Sequence, residues 1–212
     1  MNPSYKLGWL AFRAYFAVYH RWRVFNADQV PAAGPVIFAS NHASFLDPPL
    51  VGVAVSRHIS FLARDSLFRV PVLGAILRSW RVVPVDRDGG SGRGLKAILQ
   101  RLEQGGAIIL FPEGTRTPDG QLQPARSGIG LAAIKSAAPV VPVRVFGTYE
   151  AMGRHLRWPR PRRVAVKFGP PLDLASWRAE ALSASPPRIK QIYQEVAVEI
   201  MAAIAKLDWD GQ

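Results

Sequence analysis

A single α/β layered domain, with a largely parallel or mixed central sheet flanked by helices, is predicted by three observations. Six short runs rich in Val, Ile and Phe alternate with helix-length stretches, the pattern of strands joined by crossover helices. Runs such as AIILF at 107–111 are apolar at every position, which fits strands covered on both faces. With 212 residues, 49% of them hydrophobic, the chain can bury one sizeable core in one domain.

The elements follow in chain order. Residues 1–28 read as an amphipathic N-terminal helix, in which Trp9, Phe12, Tyr15, Phe16 and Tyr19 recur at helical spacing beside Arg13, Arg21 and Arg23. Two readings of it stand open. It lies in a membrane interface, aromatic rings at headgroup level, or it packs on the domain core. Arg13 cuts the apolar run short of the about 20 residues a span needs. No small-residue cleavage site follows, so a signal peptide is not expected. Residues 29–212 form the predicted domain. Strands are expected at 35–40, 58–63, 81–86, 107–112, 140–147 and 163–169, and helices around 48–56, 65–79, 91–104 and 126–138. A closing helix places Ile189, Ile192, Val196, Ile200 and Ile204 on one stripe. The Gly-rich stretch DRDGGSGRG at 86–94 has the wrong spacing for a P-loop and reads as a mobile turn.

Composition narrows the chemistry. The absence of Cys excludes disulfides, thiolate metal sites and a Cys nucleophile. Lys and Arg number 27 against 15 Asp and Glu, a net charge of +12, which favours anionic partners: nucleic acid, an anionic membrane or phosphorylated substrates. No zinc finger, RNP-type strand or basic heptad region is visible, so nucleic acid is not expected. The run GRHLRWPRPRR at 153–163 sets Trp158 among arginines, either as a membrane-facing or donor-binding loop or as a solvated basic loop.

Two polar groups follow strand-like runs. In SNHASFLDPP at 40–49, His42 and Asp47 sit across a strand–turn–helix junction whose Pro48 and Pro49 suit a helix start. Such a junction can fold the carboxylate back onto the imidazole, orienting it as a general base. A metal site lacks further ligand-spaced histidines, since His20, His58 and His155 are scattered. A Ser44 nucleophile lacks the G-x-S-x-G elbow. A polar turn capped by Asn41 or Ser44 remains the plain alternative. The second group, FPEGTR at 111–116, offers Glu113, the close-approach backbone of Gly114, the Thr115 hydroxyl and the Arg116 fork. Both groups follow strands, so both are expected at the carboxyl edge of the sheet, where α/β ligands collect.

NHASFLD followed by FPEGTR resembles the glycerolipid acyltransferases, above all the 1-acylglycerol-3-phosphate (lysophosphatidate) acyltransferases. Four spaced blocks coincide over about residues 30–150. The second block is RDSLFRVPVLGAILRSWRVVPVDR, with Arg64, Pro71, Gly74 and Arg87, and the fourth is APVVPV around Pro142. Ser79 and Trp80 depart from the small turn common in that family. The resemblance implies a glycerol-phosphate acyltransferase-like fold and transfer of a fatty acyl group from acyl-CoA or acyl carrier protein to a lysophosphatidate-type acceptor, giving phosphatidate. It implies His42 and Asp47 as the catalytic dyad, with Arg87, Glu113, Gly114, Thr115, Arg116, Asn41, Ser44, Arg64 and Pro142 around the substrate. No metal or bound cofactor is implied. The expected partner surface is a phospholipid membrane, and the expected location is peripheral or monotopic on the cytoplasmic face of the cell membrane. Alternatives are the same chemistry on glycerol-3-phosphate, a lysophospholipid, a lyso-ornithine lipid or a glycolipid; a thioesterase; and a non-catalytic basic protein that binds membranes or nucleic acid.

Overall fold

The computed structural model describes residues 2–85 and 92–209. Its centre is β2 (Val36–Ser40), which pairs in parallel with β6 (Ala107–Leu110) on one side and β7 (Val140–Phe146) on the other. β3 (Ile59–Ser60) extends the sheet beyond β6, and β8 (Ala165–Phe168) and β1 (Arg23–Phe25) extend it beyond β7, giving the order β1-β8-β7-β2-β6-β3. The β7–β8 pair alone is antiparallel, so the sheet is mixed. β4 (Leu62–Arg64) and β5 (Val83–Val85) form a separate parallel ribbon.

Period-two side-chain alternation splits the core between the two faces of the sheet. Val36, Phe38, Ala107, Ile109, Val141 and Val143 face a cluster closed by helices α1 (Pro3–Tyr19) and α2 (Asp47–Ala54). Ile37, Ala39, Ile108, Leu110 and Val140 face the opposite cluster. That second side is closed by α4 (Gly92–Glu103), α5 (Ser127–Ser136) and α8 (Pro186–Ala205). Strands buried on both sides need apolar residues at every position, which is why their sequences lack alternation. Against the second cluster, α5 and α8 approach closely because Gly130 carries no side chain: a Cβ there would lie 1.9 Å from the Tyr193 carbonyl oxygen. In α8, Ile192, Val196, Ile200 and Ile204 are fully buried, while Ile189 at the helix start is half-buried.

Several elements differ from the sequence expectation for local reasons, among them the expected N-terminal helix over 1–28, which ends at Tyr19 and is followed by β1. The run 58–63 is divided between β3 and β4, which belong to different sheets. The stretch 65–79 is a 3₁₀ turn (Asp65–Arg69) followed by α3 (Pro71–Ser79), because Pro71 cannot continue a preceding helix. Two helices carry little periodic signal and went unread: α6 (Thr148–Met152), a single short turn, and α7 (Ala175–Ser183), which buries no residue fully. The Gly-rich 86–91 and Arg87 lie outside the described residues.

Helix α1 is docked on the core. Asn2 caps it through Tyr5 N at 2.8 Å, with Pro3 in the first turn. Phe16 is fully buried, and Trp9 and Arg13 donate to the carbonyls of Val55 and Val53 at the end of α2. The opposite face leaves Leu7, Leu10 and Val18 exposed. A large aromatic in a closed site costs about 3–5 kcal/mol to truncate. Urea denaturation of Phe16→Ala is therefore expected to show a loss of that order; a change under about 0.5 kcal/mol, the range of ordinary surface substitutions, would mean that α1 does not pack on the domain in solution.

Candidate active site

Parallel pairing fixes where the polar residues arrive. In register, Ala39 of β2 lies beside Leu110 of β6 and Pro142 of β7, so the carboxyl ends of β2 and β6 coincide. The chain after β2 carries residues 41–46, and the chain after β6 carries 111–117. Asn41 continues the sheet by side chain, accepting from Val145 N at 2.8 Å and donating to Val145 O at 3.2 Å. The two loops are then tied together, Thr117 N donating to His42 O at 2.8 Å.

His42 is built from beneath. Asp47 opens α2 and is 0% exposed. Its Oδ2 accepts from Ala43 N at 2.6 Å, Ser44 N at 2.7 Å and His42 Nδ1 at 2.9 Å. A carboxylate only accepts, so Nδ1 carries the ring proton and Nε2 keeps a lone pair. One face of the imidazole stacks on Phe111 with ring centroids 3.9 Å apart. The His42 side chain retains 15% exposure, on the wall of a cavity of about 1110 Å³.

The cavity lining includes Gly114, Thr115, Arg116, Arg154 and Arg64 together with His42. Much of the rest is apolar, with residues from α1 (Tyr5, Trp9, Phe12), α2 (Pro49, Val53) and Trp80. Gly114 turns the chain at φ +71°, in the left-handed region, and a Cβ there would lie 2.9 Å from Arg126 Cδ. The Arg116 guanidinium lies 3.5 Å from the Phe45 ring centroid, and Arg154 hydrogen-bonds Thr115 Oγ1.

The structure brings His42, Gly114, Thr115, Arg116 and Arg64 to one cavity, with Asp47 buried behind His42, and gives Asn41, Ser44, Pro142 and Glu113 different surroundings; Arg87 lies outside the described residues. Asn41 holds the sheet, and Ser44 Oγ donates to Met152 O at 2.7 Å, holding the end of α6. Pro142 is buried inside β7, off the cavity wall. Glu113 is 3% exposed and turned inward. Its Oε2 accepts from His42 N at 3.0 Å and its Oε1 from Gln123 N at 3.3 Å. It therefore faces backbone N–H groups rather than an arginine or a sugar-like hydroxyl. The remaining histidines go elsewhere: His20 to Tyr15 and Arg162 O, His58 to Trp80 O and Arg101, and His155 against the Tyr149 ring. Arg154 and the apolar walls were invisible to motif reading. The cavity draws on elements far apart in sequence, and Arg154 belongs to no motif block.

The family model for Acyltransferase matches residues 21–146, more than half of the 212 residues, and the chain belongs to that family. The chloroplastic 1-acyl-sn-glycerol-3-phosphate acyltransferase BAT2 of Brassica napus is 30% identical over 137 residues, 63% of this chain and 40% of its own length. The 1-acyl-sn-glycerol-3-phosphate acyltransferase of Bacillus subtilis is 26% identical over 179 residues, 82% of this chain and 87% of its own. The chain spans about two-fifths of the length of the first plant relatives it matches. The crystal structure of the 1-acyl-sn-glycerophosphate (LPA) acyltransferase PlsC from Thermotoga maritima gives a TM-score of 0.75 at 24% identity, over 98% of this chain and 81% of that one. At that identity, the likeness establishes the fold. Among the described residues, no helix is long and apolar enough to cross a membrane.

Burial pushes the Glu113 carboxyl up to about 7, against the opposing pull of the Gln123 and His42 N–H groups, with Asp47 adding repulsion. A folded-state value above the unfolded one means that the unfolded chain releases its proton first as pH rises. Stability from this group is therefore present at low pH and lost between about 4.5 and 7. Glu113→Gln removes the titration. Urea unfolding at pH 5 and pH 8 is expected to show wild type's advantage over this variant shrinking by about 1–3 kcal/mol at the higher pH. A constant difference would mean that the carboxyl titrates normally.

Proposed function

We propose that the protein transfers a fatty acyl group from a thioester donor, acyl-CoA or acyl carrier protein, to the free hydroxyl of 1-acylglycerol-3-phosphate, yielding phosphatidate. One observation carries this reading. In a chain of the Acyltransferase family, an imidazole held by a buried carboxylate opens onto a cavity whose lining combines apolar side chains with arginines. An alcohol needs the imidazole, an acyl chain needs the apolar lining, and a phosphate needs the arginines.

In this scheme His42 Nε2 takes the acceptor's hydroxyl proton as the oxygen attacks the thioester carbon. Asp47 holds the ring and balances the imidazolium that forms. The tetrahedral intermediate collapses, the carbon–sulfur bond breaks, and the imidazolium returns its proton to the leaving thiolate. A phosphate monoester suits Arg116, the Thr115 hydroxyl and the Gly114 backbone, with Arg87 as a further cation. Glu113 acts from behind, fixing the backbone of the catalytic histidine. Arg64 stands where a second anion, such as the donor's phosphates, can approach. The exposed Leu7, Leu10, Val18 and Trp158, with the net charge of +12, suit a peripheral site on an anionic membrane face.

Thiol release reports the reaction without background, because the protein has no cysteine. With acyl-CoA in liposomes, release is expected to require lysophosphatidate. His42→Ala is expected to lower it by about 10²–10⁴ with the fold retained, and Asp47→Asn to lower it strongly by leaving the ring unoriented. Release without acceptor would identify a thioesterase. Unaltered turnover in His42→Ala would remove the histidine from the chemistry.

A further inference from the structure

Arg154 lies outside the family-matched residues 21–146, yet it stands on the wall of the same cavity as His42. We propose that Arg154 is a direct ligand of the acceptor's phosphate, and so a specificity-determining residue that discriminates phosphorylated from phosphate-free acceptors. The inference rests on the reading given under Proposed function and deepens it.

The loop that carries Arg154 is fixed to both catalytic loops. Ser44 Oγ, three residues before Asp47, donates to Met152 O at 2.7 Å. Tyr149 OH donates to Pro118 O at 2.9 Å, fastening α6 to the loop that follows FPEGTR. Gly153 N bonds Tyr149 O and Arg160 N bonds Ala151 O, both at 2.7 Å, so the backbone on either side of residue 154 is held. From this base the guanidinium reaches the Thr115 hydroxyl beside Gly114 and Arg116. A guanidinium carries five N–H donors, and one hydroxyl uses only one of them. No carboxylate pairs with Arg154 among the described residues, whereas Arg69 and Arg188 each have an acidic partner. An exposed cation, positioned by its neighbours and next to a hydroxyl at a catalytic cavity, matches the forked recognition of a phosphate monoester.

The test compares two acceptors that share a hydroxyl and differ in phosphate: lysophosphatidate and the corresponding monoacylglycerol. Removing a charged hydrogen bond of this kind corresponds to about 10- to 100-fold in binding. Arg154→Gln is expected to raise KM for lysophosphatidate by that factor, leave kcat within about twofold and leave kcat/KM for monoacylglycerol unchanged. Arg154→Lys is expected to recover part of the loss. An unchanged KM, or equal losses on both acceptors, would overturn the assignment, the latter because it would mean that the arginine only supports the loop. Titration with glycerol-3-phosphate followed by ³¹P NMR decides the question without turnover: binding by wild type that Arg154→Gln weakens supports the role, and equal binding refutes it. Absence of transfer by wild type to either acceptor would instead overturn the function proposed above, leaving the titration to judge Arg154 alone.

Discussion

Everything around His42 depends on one oxygen atom. Oδ2 of Asp47 gathers two consecutive backbone N–H groups and the imidazole of His42. The backbone bonds close the turn between β2 and α2, and the side-chain bond sets the ring's orientation. The same contact therefore makes a fold element and a chemical one. Residues five apart would lie on different faces of a continuous helix. Here the turn brings them together, and Pro48 and Pro49 let the helix begin where the carboxylate is needed.

A second constraint is the sheet register, which decides what meets His42 and Asp47. Because β2, β6 and β7 run parallel, their loops emerge at one edge, and Asn41, the Thr117–His42 bond and Glu113 lace those loops together. The electrostatic layering follows from depth. Asp47 and Glu113 are buried beneath the site and bonded to N–H groups, His42 is at the wall, and Arg116 and Arg154 stand beside it. The carboxylates kept below bond to backbone N–H groups of the chain itself.

Much of this was legible from residue order. Strands buried on both faces announce themselves as unbroken apolar runs, and α8 by its isoleucine stripe. His42 and Asp47 were legible because the strand–turn–helix signal around them is local. What escaped depends on contacts distant in sequence. β1 is three residues long and exists through its pairing with β8. The stacking of Phe111 on His42 needs the register of β2 with β6. Glu113, Ser44 and Asn41 read as substrate ligands because their polarity is plain in the sequence and their direction is not. Each is turned to a backbone partner. Arg154 is one arginine in a basic run, distinguished only by where α6 ends.

Helix α1 joins the two halves of the problem. On one face Phe16 anchors it to the core, and Tyr5, Trp9 and Phe12 form part of the apolar wall of the cavity. On the other, Leu7, Leu10 and Val18 meet the surroundings. The sequence offered rival readings, a core helix or an interfacial one; the inner face is packed on the core, and the outer face carries exposed apolar residues. A helix is stiff and its side chains are close-packed against the domain. One helix thus supplies cavity wall from its inner face and exposed apolar surface from its outer one.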